Sequence, residues 1–97
     1  MNRLILLPRA EVDVFDAAIW YETERDGLGR TFEDELDQVL ARITDSPLQF
    51  PELEPQVRRA LLGRFPYGAF FVVEDTVLTV FAVLHLHRDP ETWRHRR

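Results

Sequence analysis

The sequence predicts an α+β fold: an N-terminal strand, an antiparallel helical hairpin, then a three-stranded antiparallel sheet and a short C-terminal helix. Three observations carry that expectation. Two apolar stretches, Tyr67–Val73 and Thr76–Leu86, are separated only by Glu74-Asp75 and so ask to pair as a β-hairpin. Upstream, apolar residues recur at helical spacing in two segments divided by Gly27-Leu28-Gly29. After the hairpin the chain reads His-Arg-Asp-Pro-Glu-Thr-Trp, where Asp89 suits an N-cap and Pro90 the first helical position.

Taken in order, Arg3–Leu7 is an apolar run ended by Pro8 and reads as the first strand. Pro8 then opens a helix, since it lacks only an N–H that would be unpaired there anyway. From Ala10 to Arg25 the apolar arc is broad. Ala10, Val14, Ala17 and Tyr21 form one stripe, and Val12, Phe15 and Ile19 form another beside it. Either both stripes are core, or the second is covered by a partner. Gly27-Leu28-Gly29 turns the chain into a second helix with Phe32, Leu36, Val39 and Ile43 on one face. Glu33, Asp34 and Glu35 suit the positive end of its dipole, and Thr31 with Asp34 makes an imperfect capping box. Ser46-Pro47 stops that helix. Residues 46–56 hold prolines at 47, 51 and 55 and read as a stiff loop.

Arg58–Phe65 is the next strand, followed by the hairpin. With Glu74-Asp75 as its turn, Val73 opposes Thr76, Phe71 opposes Leu78, Phe70 opposes Thr79 and Gly68 opposes Phe81. Tyr67, Ala69, Phe71, Leu78, Val80, Ala82, Leu84 and Leu86 then share the face that packs on the helices. Gly68, Phe70, Val72, Val77, Thr79, Phe81, Val83, His85 and His87 share the other. That second face is apolar enough, if exposed, to mark a partner site.

Ninety-seven residues suffice for a single domain, 1–97, with one core. The apolar runs fall short of the ~18 residues a transmembrane helix needs. The segment before Pro8 is too short for a secretory signal. Cysteine is absent, which excludes disulfides and thiolate metal sites, and the expected compartment is the cytoplasm. Net charge is −5, unevenly spread: residues 1–45 carry eleven acids against five arginines, residues 46–97 six acids against seven. Arg88, Arg94, Arg96 and Arg97 make a basic rear edge. Every basic residue except histidine is arginine, which stays protonated and cannot act as a general base near neutrality.

His85-x-His87 places two imidazoles on one strand face, without a third ligand at zinc spacing, so no metal is expected. The histidines could serve as acid–base groups or as a polar rim. Arg59, Arg64 and Arg88 could converge at one sheet edge, where they would bind phosphate or pair with a partner's acids. Trp93 has a structural reading, burial against the sheet. The chain has no Gly-rich phosphate loop, no G-x-S-x-G and no H-E-x-x-H, and it calls for no cofactor.

The wording Arg58-Arg59-x-x-Leu62-x-x-Phe65-Pro66-Tyr67, with Ala82-Val83-x-His85-x-x-Arg88-Asp89-Pro90-x-x-Trp93 after the hairpin, resembles the RelE/ParE superfamily of toxins from bacterial type II toxin–antitoxin systems. A looser match covers Ala10, Asp13, Trp20, Tyr21, Gly27, Gly29, Phe32 and Pro47. The resemblance implies a helical hairpin on one face of a small sheet. It also implies a cognate antitoxin that wraps the toxin, and allows a higher-order toxin–antitoxin hetero-oligomer. Phe15 and Ile19 of the first helix, with Phe70, Thr79 and Phe81 of the sheet, are the expected antitoxin contacts. The superfamily divides between ribosome-dependent mRNA cleavage and poisoning of DNA gyrase. His85, Arg88, Arg64, Arg59 and Trp93 are the candidate catalytic residues. This chain departs from the nuclease pattern: Gly68 stands where such nucleases carry an arginine after an aromatic, no lysine is present, and the indole of Trp93 cannot transfer a proton as a phenol could. The reading therefore favours ParE-like binding of a protein target such as gyrase, with a RelE-like nuclease or a non-toxic protein-binding domain of the same fold as alternatives.

Overall fold

The computed structural model describes residues 1–96; Arg97, part of the expected basic edge, lies outside the described residues. The elements are β1 (Arg3–Leu6), α1 (Pro8–Glu24), α2 (Leu28–Asp45), a 3-10 turn (Pro47–Gln49), β2 (Glu52–Glu54), β3 (Val57–Leu61), β4 (Tyr67–Glu74), β5 (Val77–His85) and α3 (Pro90–Arg94). One five-stranded sheet runs β1-β5-β4-β3-β2, with β1 parallel to β5 and the remaining pairs antiparallel. The expected α+β order holds. The stiff proline loop, however, contains a short edge strand, β2, tied to β3 by Arg58, whose guanidinium donates to the Phe50 carbonyl and to Glu52.

The helical hairpin closes through two glycines. Gly27 takes a left-handed φ of 86° at the N-cap of α2, a conformation that costs other residues dearly. At Gly29 a Cβ would lie 2.5 Å from the Ala18 carbonyl oxygen, so the two helices can approach only because that atom is absent. The expected capping by Thr31 and Asp34 does not occur. The helix starts one turn earlier, and Glu22 of α1 accepts from the N–H groups of Gly27 and Gly29 at 2.8 and 3.0 Å. A carboxylate borrowed from α1 thus satisfies two orphan donors and faces the positive helix end. Asp34 pairs with Arg30 instead, and Thr31 donates to the Gly27 carbonyl.

The hairpin register differs from expectation. Glu74 pairs with Val77 and Val73 with Leu78, so the turn is Asp75-Thr76, with Asp75 in the left-handed region at φ 57°. Aspartate tolerates that region better than glutamate, which moves the turn one residue along. Further in, Phe71 pairs with Val80 but Phe70 with Ala82, leaving Phe81 as an extra residue: a β-bulge on β5. The bulge reverses the alternation. Leu78 and Val80 face α1 and α2 as expected, but beyond Phe81 it is Val83 that joins that core, while Ala82 and Leu84 turn to the opposite face. His85, paired with Tyr67, follows Val83 to the helical side.

Two cores result. The larger, between helices and sheet, contains Phe32, Leu36, Val39, Ile43, Phe65, Phe71, Leu78 and Val80. The smaller lies on the opposite face and contains Val57, Phe70, Phe81, Ala82, Leu84 and Trp93. The expectation of an exposed second sheet face is therefore corrected. The chain covers it with its own α3, whose Trp93 stacks on Phe70 at 5.2 Å and 22°, and Phe70 and Phe81 are each only 3% exposed. Asp89 caps α3 through its carboxylate to the Glu91 N–H at 2.9 Å, with Pro90 at the first helical position.

Candidate functional site

α1 carries more apolar surface than its own chain uses. Ala10 and Ala17 are buried, and Val14, Ala18 and Tyr21 pack beside them on the larger core. The other stripe faces outward: Val12 is 57%, Phe15 63%, Ile19 48% and Trp20 56% exposed. These positions fall at i, i+3, i+7 and i+8, one continuous band along the helix. Of the two readings of this arc, the structure leaves the second stripe uncovered.

Beside that stripe lies an open groove of about 240 Å³, where α1 meets the end of β5. Asp16, Ala17 and Trp20 form its α1 wall; Tyr67, His85 and Arg88 form the other. Burial pushes the Tyr67 phenol above its ordinary range, an effect that Arg88 opposes and Asp13 reinforces. At neutral pH the phenol is a proton donor, not a base. The His85 ring meets Tyr67 edge-on at 5.4 Å, and its Nδ1 accepts the His87 backbone N–H at 3.1 Å. Acting as a base through Nδ1 would require giving up that bond.

Asp13 organises the floor. β1 ends at Leu6, opposite Val80, so beyond that point β5 has no strand on its outer side. There the Asp13 carboxylate accepts the Val83 N–H at 2.9 Å. It also receives both terminal nitrogens of Arg96 in a bidentate ion pair, with Nη2 to Oδ1 at 2.9 Å. The pair is largely buried, the side chains 11% and 8% exposed. Sequence reasoning gave Asp13, Asp16, Trp20 and Tyr67 no role in a site. A signal existed for one of them: Asp13 sits among Ala10, Val14 and Ala17 on the buried stripe, where a charge demands a partner.

The expected catalytic residues do not converge. Arg88 and His85 share the groove. Arg64 is drawn away by Glu35 of α2, which accepts its backbone N–H at 2.7 Å and its Nε at 3.2 Å. Arg59 lies on the opposite face of the sheet, its guanidinium 6.0 Å from the Phe70 ring centre. Its stem occupies the space a Cβ at position 68 would need, approaching to 3.0 Å. Trp93 is also on that opposite face, buried against Phe70. Among the expected antitoxin contacts, Phe15 and Ile19 are open to solvent, and Phe70 and Phe81 are covered by α3. Thr79 is half-buried in a second groove, lined also by Leu7, Val72, Val73 and Arg96. Among the described residues, no three His, Asp or Glu side chains gather as a metal site. Nor, among the described residues, is any helix long and apolar enough to cross a membrane.

No protein-family model matches the sequence, and a search of curated proteins finds no match. The fold does have a solved counterpart. A chain of the chromosomal ParDE TA system from P. aeruginosa superposes with a TM-score of 0.66 at 18% identity, over 88% of this chain and 96% of that one. The chain described here has a ParE-like fold.

Proposed function

We propose that this chain is the toxin of a bacterial type II toxin–antitoxin pair, held by a cognate antitoxin and acting on a protein target such as DNA gyrase. The observation that carries the reading is the uncovered band Val12, Phe15, Ile19 and Trp20 on a helix whose other side is already packed. An apolar strip of this kind is what a partner's amphipathic segment covers. The fold likeness to a chain of a ParDE TA system supports the same assignment. Thr79, in the groove between Leu7 and Arg96, extends the proposed contact toward the second face. The protein-target mechanism rests on the scatter of the candidate catalytic groups. Cleavage of RNA needs a base, an acid and cations around one phosphate, whereas Arg59 and Trp93 stand across the sheet from His85 and Arg88. A net charge of −5 further opposes entry into an RNA-lined site.

A second reading draws on one observation: Tyr67, His85 and Arg88 do share a groove, and a phenol, an imidazole and a guanidinium are groups a nuclease uses. One experiment separates the two. On induction of the chain alone, growth should stop, supercoiling by gyrase should fall, and cellular mRNA should remain intact by primer extension; the small protein encoded beside it should restore growth. Codon-positioned cuts lost in His85→Ala or Arg88→Ala would replace this reading with the nuclease. Harmless induction would leave a non-toxic binding domain.

A further inference from the structure

The segment that leaves β5, residues 87–96, is tied back to α1 by a side chain that also holds the strand. Asp13 accepts the Val83 N–H within β5 and binds Arg96 at the far end of the segment. Between these points lie His85 and Arg88 on the groove side and Trp93 on the opposite face. We infer that residues 87–96 are a strap, locked shut by the Asp13–Arg96 pair, that opens as a unit while β5 stays in the sheet and uncovers the apolar face of Phe70, Phe81 and Leu84.

Three features make the strap separable from the rest. Its helix α3 has five residues, far too few for helical stability of its own. Its side-chain tie to the sheet edge, Arg94 to Glu54 at 3.1 Å, is solvent-exposed on the arginine side and so contributes weakly. The Trp93–Phe70 stack and the buried bidentate pair hold it closed. Breaking one member of such a pair leaves the other charge unpaired in a dry setting, so the pair favours one closed geometry strongly over partly open ones. The Nε of Arg96 is buried without a hydrogen-bond partner. Its surroundings therefore serve only the two terminal nitrogens, and release to water satisfies the third, which lowers the cost of opening. The lock is set on α1, and Asp13, Arg88 and Arg96 line one groove together with Val12 of the exposed band. Any molecule resting on the foot of that band buries the lock further.

The two tryptophans make the inference measurable. In a Trp20→Phe background Trp93 is the sole indole, shielded at 7% exposure. Asp13→Asn keeps an oxygen for the Val83 N–H but presents no charge to Arg96; Arg96→Gln removes the other partner. Each variant should raise the acrylamide quenching constant of Trp93 at least threefold and shift its emission to the red, with far-UV circular dichroism unchanged. Trp93 staying as shielded as in the parent, or becoming exposed only together with loss of circular dichroism, would overturn the strap. Native-state hydrogen exchange on the unaltered chain provides the check that needs no variant. The amides of Thr92, His95 and Arg96, bonded to Asp89, Glu91 and Trp93 carbonyls, should exchange well before those of β4, through an opening little affected by denaturant. Exchange of these amides only with global unfolding contradicts the strap.

Discussion

α1 and α2 are nearly the same length, lie against each other and were built from similar numbers of apolar residues, yet they are used differently. α2 is a helix with one stripe: Phe32, Leu36, Val39 and Ile43 are buried, and its outer face is polar. α1 is a helix with two: Ala10, Val14, Ala17 and Tyr21 face the core, and Val12, Phe15, Ile19 and Trp20 face out. Natural surface helices place bulk inside and charge outside. α2 follows that rule because its packing serves stability. α1 departs from it, because its second apolar stripe is not used in packing this chain.

The largest effect that could break this contrast is on α2. Phe32→Ala should cost about 3–5 kcal/mol, since the ring is fully buried and contacts Tyr21, Phe65 and Tyr67. Phe15→Ala, of identical chemistry on α1, should cost within about 0.5 kcal/mol. Urea unfolding of both variants measures the difference, and comparable losses would mean that α1's outer band does support the fold. Next in size is the joint between the helices. Gly29→Ala should destabilise by about 1–3 kcal/mol as overpacking, because the new methyl meets the Ala18 carbonyl at 2.5 Å; the melting temperature reports it.

The smallest expected effect is electrostatic and sits where α2 meets the loop after β3. Burial pushes the Glu35 carboxyl up, but hydrogen bonds from Arg64 and Gly63 outweigh it and hold the group below its usual range. A carboxyl depressed in the folded state contributes stability above its unfolded value, and that contribution fades as pH falls through the folded one. Glu35→Gln should therefore be less stable than the parent at neutral pH, with the gap closing under acid. A gap that stays constant or widens on acidification, in unfolding measured across the acid range, would contradict the role given to Arg64.

Much of this was legible in residue patterns. Pro8, the α2 stripe and the Asp89-Pro90 start of α3 act locally, through caps and periodicity, and stand where they were expected, whereas of the Gly27-Leu28-Gly29 break only Gly27 stays outside α2. What escaped was decided at a distance. The bulge at Phe81 shifts β5 by one residue, and alternation alone cannot announce it, because both faces of that strand are apolar. Once shifted, it carries His85 to the groove and turns Leu84 away. The fate of the second sheet face was equally non-local: whether Phe70 and Phe81 meet solvent depends on where Trp93 lands. The groove itself was only half readable. His85 and Arg88 stood out as chemical types, whereas Asp13 is an ordinary acid until Arg96 and the Val83 N–H are seen to converge on it.

The central claim is that α1's outer band is reserved for a partner and is dispensable for folding. It is tested most directly by one pair of numbers on Phe15→Asp: the unfolding midpoint of the isolated chain, and the dissociation constant for the small protein encoded beside it, by isothermal titration. The expected result is an unchanged midpoint and an affinity lowered by about a hundredfold or more, as for truncation of a central apolar anchor. Unchanged affinity, or an affinity lost only because the variant no longer folds, would contradict it.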